Sequence, residues 1–334
     1  MRSCRRCLVS DAEWRCRPTV TNHSKERPLA GRIALVAGAT RGAGRAIAVE
    51  LARAGAFTYA TGRSSRVLGP SDMGRPETIE ETGDLMQAAG GEGIAMRVDH
   101  LERTQVSELV SNIEKRHGRL DILVNDIFGG DRYAQWDKKL WEHDLEAGLL
   151  MLRMGIETHL ITCAMALPLM LQNGGGLVVE MTDGTSEHNK AFRHGVGLYY
   201  DLVKASVERI TIGLAAELED KQCTALAVTP GWLRSERMLE NFGVSEENWR
   251  DALQEEPHFC ISESPAFVAR GVAALAADPA VDRYAGKVLS SAELARTYGV
   301  TDTDGTQPDC WRYIVEVQGT GRPATEFGYR FTRT

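Results

Sequence analysis

Residues 32–50, Arg32-Ile-Ala-Leu-Val-Ala-Gly38-Ala-Thr-Arg-Gly42-Ala-Gly44-Arg-Ala-Ile-Ala-Val-Glu50, decide how the rest of the chain is read. Arg32 to Ala37 is a short apolar run that stops at a glycine, the pattern of a strand buried on both faces. Arg45 to Ala54 is alanine-rich and helical in character, and Gly55 ends it. Three glycines fill the turn between them. Gly38 permits a sharp turn, Gly42 permits backbone to approach an anion, and Gly44 permits the helix to pack close on the strand. The amide groups of a helix N-terminus face whatever binds there, and they favour phosphate. A glycine motif alone is weak, but this one has a strand before it and a helix after it.

The same alternation continues outward. Strand-like runs follow at Phe57–Thr61, Ile94–Val98, Leu120–Asn125, Leu177–Thr182, Thr224–Thr229 and Lys287–Ser290. Helical stretches fall between them near Glu77–Ala89, Arg103–His117, Trp136–Gln172, Leu198–Leu218 and Pro265–Ala277. Strand and helix in alternation mean parallel pairing through right-handed crossovers. The expected fold is α/β: a Rossmann-type, doubly wound, seven-stranded parallel sheet with helices on both faces. One such domain is expected over residues 29–302. Within it, residues 236–263 interrupt the last two strands as a polar insert, placed to act as a substrate lid. Residues 303–334 read as a C-terminal tail that drapes over the domain or a neighbouring subunit. Residues 1–28 read as a disordered extension, rich in arginine and without period; Cys4, Cys7, Cys16 and His23 in it make a weak zinc pattern, and no metal site is expected.

Charge and composition exclude several classes. A formal charge of −7 argues against a nucleic-acid surface. No apolar run approaches the roughly 20 residues that span a bilayer, so no membrane association is expected. Seven scattered cysteines do not make a disulfide framework in a chain of 334 residues, which points to a reducing, cytoplasmic setting.

Beyond Glu50 further motifs appear in a fixed order. Gly38-x-x-x-Gly42-x-Gly44 is followed by Asp99 at the end of the third strand. Next come Asp121-Ile-Leu-Val-Asn125-Asp-Ile-Phe-Gly129, then Tyr200-Asp-Leu-Val-Lys204, then Pro230-Gly231 with Ser235 after it. This ordered set resembles the short-chain dehydrogenase/reductase family over roughly residues 29–302, and within it an atypical bacterial-type branch. The resemblance implies a nicotinamide cofactor held by Gly38, Thr40, Arg41, Gly42 and Gly44. Asp99 is then set against the adenine, and Asn125 stands in the NNAG-like strand end, where Asp126 replaces the second Asn. It implies that Lys204 holds the nicotinamide ribose and that Pro230 and Ser235 lie beside the carboxamide. It also implies that Tyr200 donates a proton to a carbonyl oxygen as hydride arrives.

Tyr200 and Lys204 are four apart on an expected helix and share a face. A phenol titrates near about 10 unless a neighbouring cation lowers it, which is what Lys204 offers. Leu198 stands where enoyl reductases of this kind carry their tyrosine, so reduction of carbon–carbon double bonds is disfavoured. Two partners depart from the family pattern. Its serine after the fifth strand falls on Asp183, with Thr182, Thr185 and Ser186 as alternative hydroxyls. Its helical asparagine falls on Gly155, with His159 one turn on. An ionised Asp183 would raise the Tyr200 pKa, whereas a protonated one could donate to the substrate, and both remain open from sequence.

The second strand ends in Thr58-Tyr-Ala-Thr-Gly-Arg63-Ser-Ser-Arg66, without the acid that holds a free ribose. Arg63 and Arg41 are therefore expected to face a 2′-phosphate, which selects NADP(H). The expected function is NADP(H)-dependent hydride transfer between nicotinamide and a carbonyl or alcohol substrate. A catalytically silent NADP(H)-binding sensor or partner is the alternative. A homodimer or homotetramer is expected through the helices Trp136–Gln172 and Leu198–Leu218, whose apolar positions Leu149, Leu152, Ile156, Val207, Ile210 and Leu214 can serve both core and a helical interface.

Overall fold

The structure is a computed structural model and describes residues 27–332. The cysteines and histidine of the proposed zinc pattern, and most of the expected disordered extension, lie outside the described residues.

Strand β1 (Ile33–Ala37) lies at the centre of the sheet, followed by α1 (Gly42–Arg53), β2 (Phe57–Gly62), α2 (Ile79–Ala88), β3 (Glu92–Arg97), α3 (Arg103–His117) and β4 (Ile122–Asn125). The second half runs α4 (Leu145–Leu152), a π-helical turn (Arg153–Glu157), α5 (Thr158–Gln172), β5 (Gly176–Met181), α6 (Leu198–Glu217) and β6 (Cys223–Thr229). It continues through α7 (Glu236–Asn241), α8 (Pro265–Ala276), β7 (Val288–Ser290) and α9 (Ser291–Tyr298). All seven strands pair in parallel in the order β3-β2-β1-β4-β5-β6-β7. The order reverses between β1 and β4, which opens a crevice at the carboxyl ends of those strands.

Side-chain alternation along β1 explains why both faces are covered. Ala34 and Val36 join Ile47 and Leu51 of α1 and Val268 and Val272 of α8. Ile33 and Leu35 join Val106 and Leu109 of α3 and Ala166 and Leu169 of α5 on the other side.

Helical structure expected from Trp136 begins at Leu145 instead. Asp144 stops it from starting earlier: its Oδ1 accepts from the Ala147 amide at 2.7 Å as an N-cap. From Leu145 to Gln172 the helix is long and apolar enough to cross a membrane by length and composition, which corrects the expectation that no segment is. Arg153 and Glu157 break up its apolar run in sequence. Half of its most apolar stretch is buried, with Cys163, Ala166, Leu169 and Met170 in the core under the sheet, as in the central helix of a sheet domain.

The C-terminal segment is built rather than loose. β8 (Thr306–Pro308) and β9 (Arg330–Thr332) form an antiparallel ribbon around α10 (Cys310–Glu316). The segment drapes over its own domain. Trp311 Nε1 donates to the Pro230 carbonyl at 2.8 Å, and the Trp232 amide donates to Cys310 Sγ at 3.0 Å. Arg234, fully buried, ties the insert and this segment together through Glu246 at 2.8 Å and Asp302 at 3.2 Å. The insert at residues 236–263 has a small apolar centre of its own, with Trp249 and Phe259 packed against Trp232 and Phe242.

Candidate active site

One cavity of about 500 Å³ fills the crevice where the strand order reverses. Its floor is the glycine turn. Gly38 has φ +89°, and a Cβ there would collide with the Asp126 carbonyl. A Cβ on Gly44 would strike the Gly38 carbonyl and Asp126 Oδ2, so α1 can approach β1 this closely only through glycine. Gly44 therefore packs and does not line the cavity, whereas Gly38, Thr40, Arg41 and Gly42 do. The Gly42 amide, the first of α1, donates to Glu236 Oε2 at 2.9 Å. A carboxylate from the insert thus lies on the donor that would meet a phosphate.

At the β2 end the cavity is cationic. Arg63 pairs with Asp72 at 2.8 Å and reaches Asp99 at 4.0 Å. Arg41 lies 3.8 Å from Glu77, and burial lowers its pKa despite that partner. Arg75, which sequence reading passed over, stands on the same wall and pairs with Glu77 and with Glu240 of α7. It sits in the irregular loop 63–77, where no periodicity marks a residue as facing a site. Asp99, Pro230 and Ser235 also line the cavity. The Ser235 hydroxyl accepts from the Met238 amide at 3.3 Å and so caps α7.

Asn125, like Gly44, does not line the cavity. It is fully buried in β4, where its Nδ2 donates to Glu180 Oε1 at 2.8 Å, and Asp126 and Ile127 form the wall instead. Strand alternation sends the side chain of Asn125 to the α5 face of the sheet, against Cys163, and that of Asp126 to the other, beside Gly44 of α1. Burial raises the Asp126 carboxyl to about 7, against the opposing pull of Lys204.

At the nicotinamide end, as the family pattern implies it, Tyr200 and Lys204 line the same wall. Lys204 Nζ lies 3.9 Å from the Phe128 ring centroid and 5.5 Å from that of Tyr200. Tyr200 is held edge-on between Phe128 and Trp136. Its hydroxyl donates to Asp183 Oδ2 at 3.0 Å. Burial, and then the charge of Asp183, push the phenol well above its usual range. Burial alone would raise the Asp183 carboxyl too. Arg193 and Lys204 outweigh that and hold it below its usual value, so Asp183 is ionised at neutral pH. Of the two protonation states left open by sequence, this is the charged one.

The alternative hydroxyls are otherwise engaged or absent from the wall. Thr182 Oγ1 donates to the Lys204 carbonyl at 2.9 Å and fastens α6 to the end of β5. Thr185 Oγ1 accepts from the His188 amide at 3.3 Å, and Ser186 is exposed. Gly155 leaves no room for an asparagine: a Cβ there would strike Val203 and approach Phe128 at 3.3 Å. His159 lines the cavity one turn on. Its Nδ1 meets the fully buried Glu180, and its Nε2 lies 3.1 Å from the Ile127 carbonyl. His159, with Asn125 and Cys163, holds the Glu180 carboxyl below its usual value against the effect of burial. No cluster of His, Cys, Asp and Glu able to hold a metal occurs among the described residues.

The glycine turn, the cations beside β2 and the cavity between them and Tyr200 fit a dinucleotide: amides and arginines for phosphates, and a phenol and an ammonium at the far end. Comparison with known proteins agrees. The short chain dehydrogenase family profile matches residues 32–243. "Dehydrogenase/reductase SDR family member 1" of Mus musculus is 31% identical over 284 residues, covering 83% of this chain and 85% of that protein. The 7alpha-hydroxysteroid dehydrogenase of Clostridium sardiniense is 28% identical over 213 residues, 64% of this chain and 75% of its own. Among solved structures, a putative dehydrogenase from Xanthomonas campestris superposes with a TM-score of 0.67 at 25% identity, covering 83% of this chain and 93% of that one.

Proposed function

The chain belongs to the short-chain dehydrogenase family of NAD(P)-dependent oxidoreductases, and from that premise we propose that it moves hydride between NADP(H) and a carbonyl or alcohol substrate. The observation that carries this reading is that Tyr200 and Lys204 line the same cavity as the glycine turn. In this reading Gly38, Thr40, Arg41, Gly42, Arg63, Asp99, Lys204, Pro230 and Ser235 hold the cofactor, with Arg75 added to the cationic wall. NADP(H) is favoured over NAD(H) because Arg41, Arg63 and Arg75 surround the end of β2, and charge-assisted pairs to a phosphate are the strong kind.

When bound, the cofactor supplies or accepts the hydride. The chain supplies the proton. Tyr200 Oη is the donor, and it now spends its hydrogen on Asp183 Oδ2. A substrate carbonyl oxygen must take over that hydrogen bond before reduction. Lys204 then favours the phenolate that remains once the proton has passed to the alkoxide. Residues 236–263 act as the lid, since Met238 and Ser235 at its base already line the cavity.

A homodimer or homotetramer through α4–α5 and α6 is part of the same proposal. Leu149, Leu160, Leu202 and Ile212 are large apolar side chains exposed on those helices. Val207, one of the positions expected to serve core and interface alike, is buried in the core. A cytoplasmic, reducing compartment suits the four described cysteines, all free and buried. A silent cofactor-binding role has less in its favour, because both Tyr200 and Lys204 open on the cavity. The test is equilibrium binding of NADPH followed by its oxidation over a panel of ketones and aldehydes. Binding with turnover that Tyr200→Phe abolishes is expected, and binding without turnover by the wild type would overturn the reading.

A further inference from the structure

Asp183 Oδ2 accepts two hydrogen bonds at nearly the same length, from Tyr200 Oη at 3.0 Å and from Arg193 Nη1 at 3.1 Å. Arg193 comes from the loop between β5 and α6. Its side chain is only 9% exposed, and its Nε lies 3.4 Å from Asp201 Oδ1 on the first turn of α6. Its guanidinium carbon is 5.5 Å from the Tyr200 ring centroid. Its second terminal nitrogen, Nη2, is buried without a partner. A guanidinium presents a rigid fork of donors that matches a carboxylate two by two. Here one tine of the fork is in use and the other is in reserve.

We propose that Arg193 is a positioning residue of the active site, a fixed counter-ion that lets Asp183 occupy the place of a neutral hydroxyl and that takes over the carboxylate when Tyr200 turns to substrate. An uncompensated carboxylate 3.0 Å from the phenol would oppose the tyrosinate and the alkoxide, both negative, that reduction creates. Arg193 cancels that charge. When the Tyr200 O–H leaves Asp183 for a carbonyl oxygen, the half-buried Asp183 loses one of its two donors. The free Nη2 can replace it, so the handover leaves no carboxylate oxygen stranded. Losing the guanidinium would leave Asp183 holding Tyr200 in competition with substrate.

This inference rests on the oxidoreductase reading, so its test keeps the two apart. Turnover, NADPH affinity and pH–rate profiles are measured for the wild type, Arg193→Gln, Arg193→Lys, Asp183→Ser and the double variant Asp183→Ser/Arg193→Gln. Arg193→Gln should lose about ten- to a hundredfold in kcat with NADPH affinity unchanged. Its tyrosine limb should move to higher pH, because a cation beside the phenol is gone. The charged groups facing Tyr200 are Asp183 from the end of β5, Asp131 from the loop after β4, Arg193 from its own loop and Lys204 from α6; Asp201 and His188 border Arg193. Only Arg193 changes in this comparison. The double variant should recover most of the lost rate, since the charge that needed cancelling is removed as well. Arg193→Lys, which keeps charge without the fork, should fall between and guards against a simple folding defect. A wild-type rate and limb in Arg193→Gln, or a double variant as slow as Arg193→Gln, would overturn the inference. A wild type without turnover would overturn the oxidoreductase reading alone. In that case tyrosinate absorbance, taken as the difference between each protein and its Tyr200→Phe counterpart, still reads the phenol. A midpoint that Arg193→Gln raises supports the inference, and one it leaves in place refutes it.

Discussion

The Gly42 amide and the Glu236 carboxylate, 194 residues apart in sequence, meet at 2.9 Å at the N-terminus of α1. Arg45 joins the same carboxylate at 3.6 Å, and one helical turn on Glu240 pairs with Arg75. Two acids on one face of α7 therefore hold groups that a dinucleotide phosphate would use. Entry of cofactor has to displace them. Glu236→Gln is expected to tighten NADPH binding by about three- to tenfold, as one competing charge–dipole contact of roughly 1 kcal/mol is weakened. Isothermal titration on the two proteins checks this; equal or weaker binding by the variant would count against it.

NADPH should bind more tightly than NADH by about tenfold or more, the worth of one or two charge-assisted pairs of roughly 1.5–3 kcal/mol each. Arg63→Asp should erase or reverse that preference. Fluorescence titration with both cofactors decides it, and equal dissociation constants in the wild type would refute it.

Tyr200→Phe should remove at least about a hundredfold of activity and leave NADPH affinity nearly unchanged, since only the proton donor is lost. Asp183→Ser should act in the opposite sense. Asp183 is held ionised, so its removal frees the Tyr200 hydroxyl and takes away a charge that raises the phenol. Reduction should speed up, and the tyrosine limb of the pH–rate profile should shift to lower pH. A slower Asp183→Ser enzyme with an unmoved limb would contradict this.

Two buried carboxyls make stability depend on pH. Burial raises Asp126 to about 7 and Glu263 to about 8. In the unfolded chain both titrate near about 4, so the folded state retains protons that the unfolded one releases. The stability they contribute is full below about pH 4 and is lost as pH rises through 7 and 8. Asp126→Asn keeps the hydrogen-bonding shape and removes the ionisation. Its gain over the wild type should grow from about pH 4 to 8 and reach on the order of 2–4 kcal/mol. Urea unfolding of both proteins at pH 5 and 8 measures it; a gain that does not change with pH would refute it.

Leu149 of α4, and Leu202 and Ile212 of α6, should lie between subunits. Leu202→Glu, which puts a charge into an apolar contact, should release monomers at micromolar concentration while NADPH still binds. Sedimentation of the wild type as a monomer would remove the basis for this expectation.

What sequence made legible followed from chain periodicity. Parallel strands buried on both faces must be short apolar runs, so the strand ends that carry Gly38, Asp99 and Asp183 were legible from pattern, whereas the roles of Asp99 and Asp183 came from the family resemblance. A helix fixes the direction of i and i+4, which put Tyr200 and Lys204 on one face; that they form a site was legible only from their order after the glycine turn. That the Asn125 side chain turns to Glu180 and Cys163 while Asp126 lines the cavity depends on strand alternation, where one residue is all it takes to send a side chain through the sheet. The start of α4 was read too early because Trp136, Leu140 and Trp141 mimic an amphipathic turn, while the capping role of Asp144 shows only in the folded chain. Arg75 and Arg193 gave no signal at all. Both sit in irregular loops, where direction is set by tertiary partners such as Glu77 and Asp183 rather than by period.

Trp311 and Ile314 of α10 form part of the cavity wall, although every strand of the main sheet is finished by Ser290. During synthesis the two are separated in time. A growing chain that has emerged as far as Ser290 already owns the glycine turn, Tyr200 and Lys204 and every strand of the main sheet. It does not yet own the surface on which Pro230 and Trp232 lean. The scaffold is therefore ready before the pocket, and the pocket ripens only as the ribosome delivers α10.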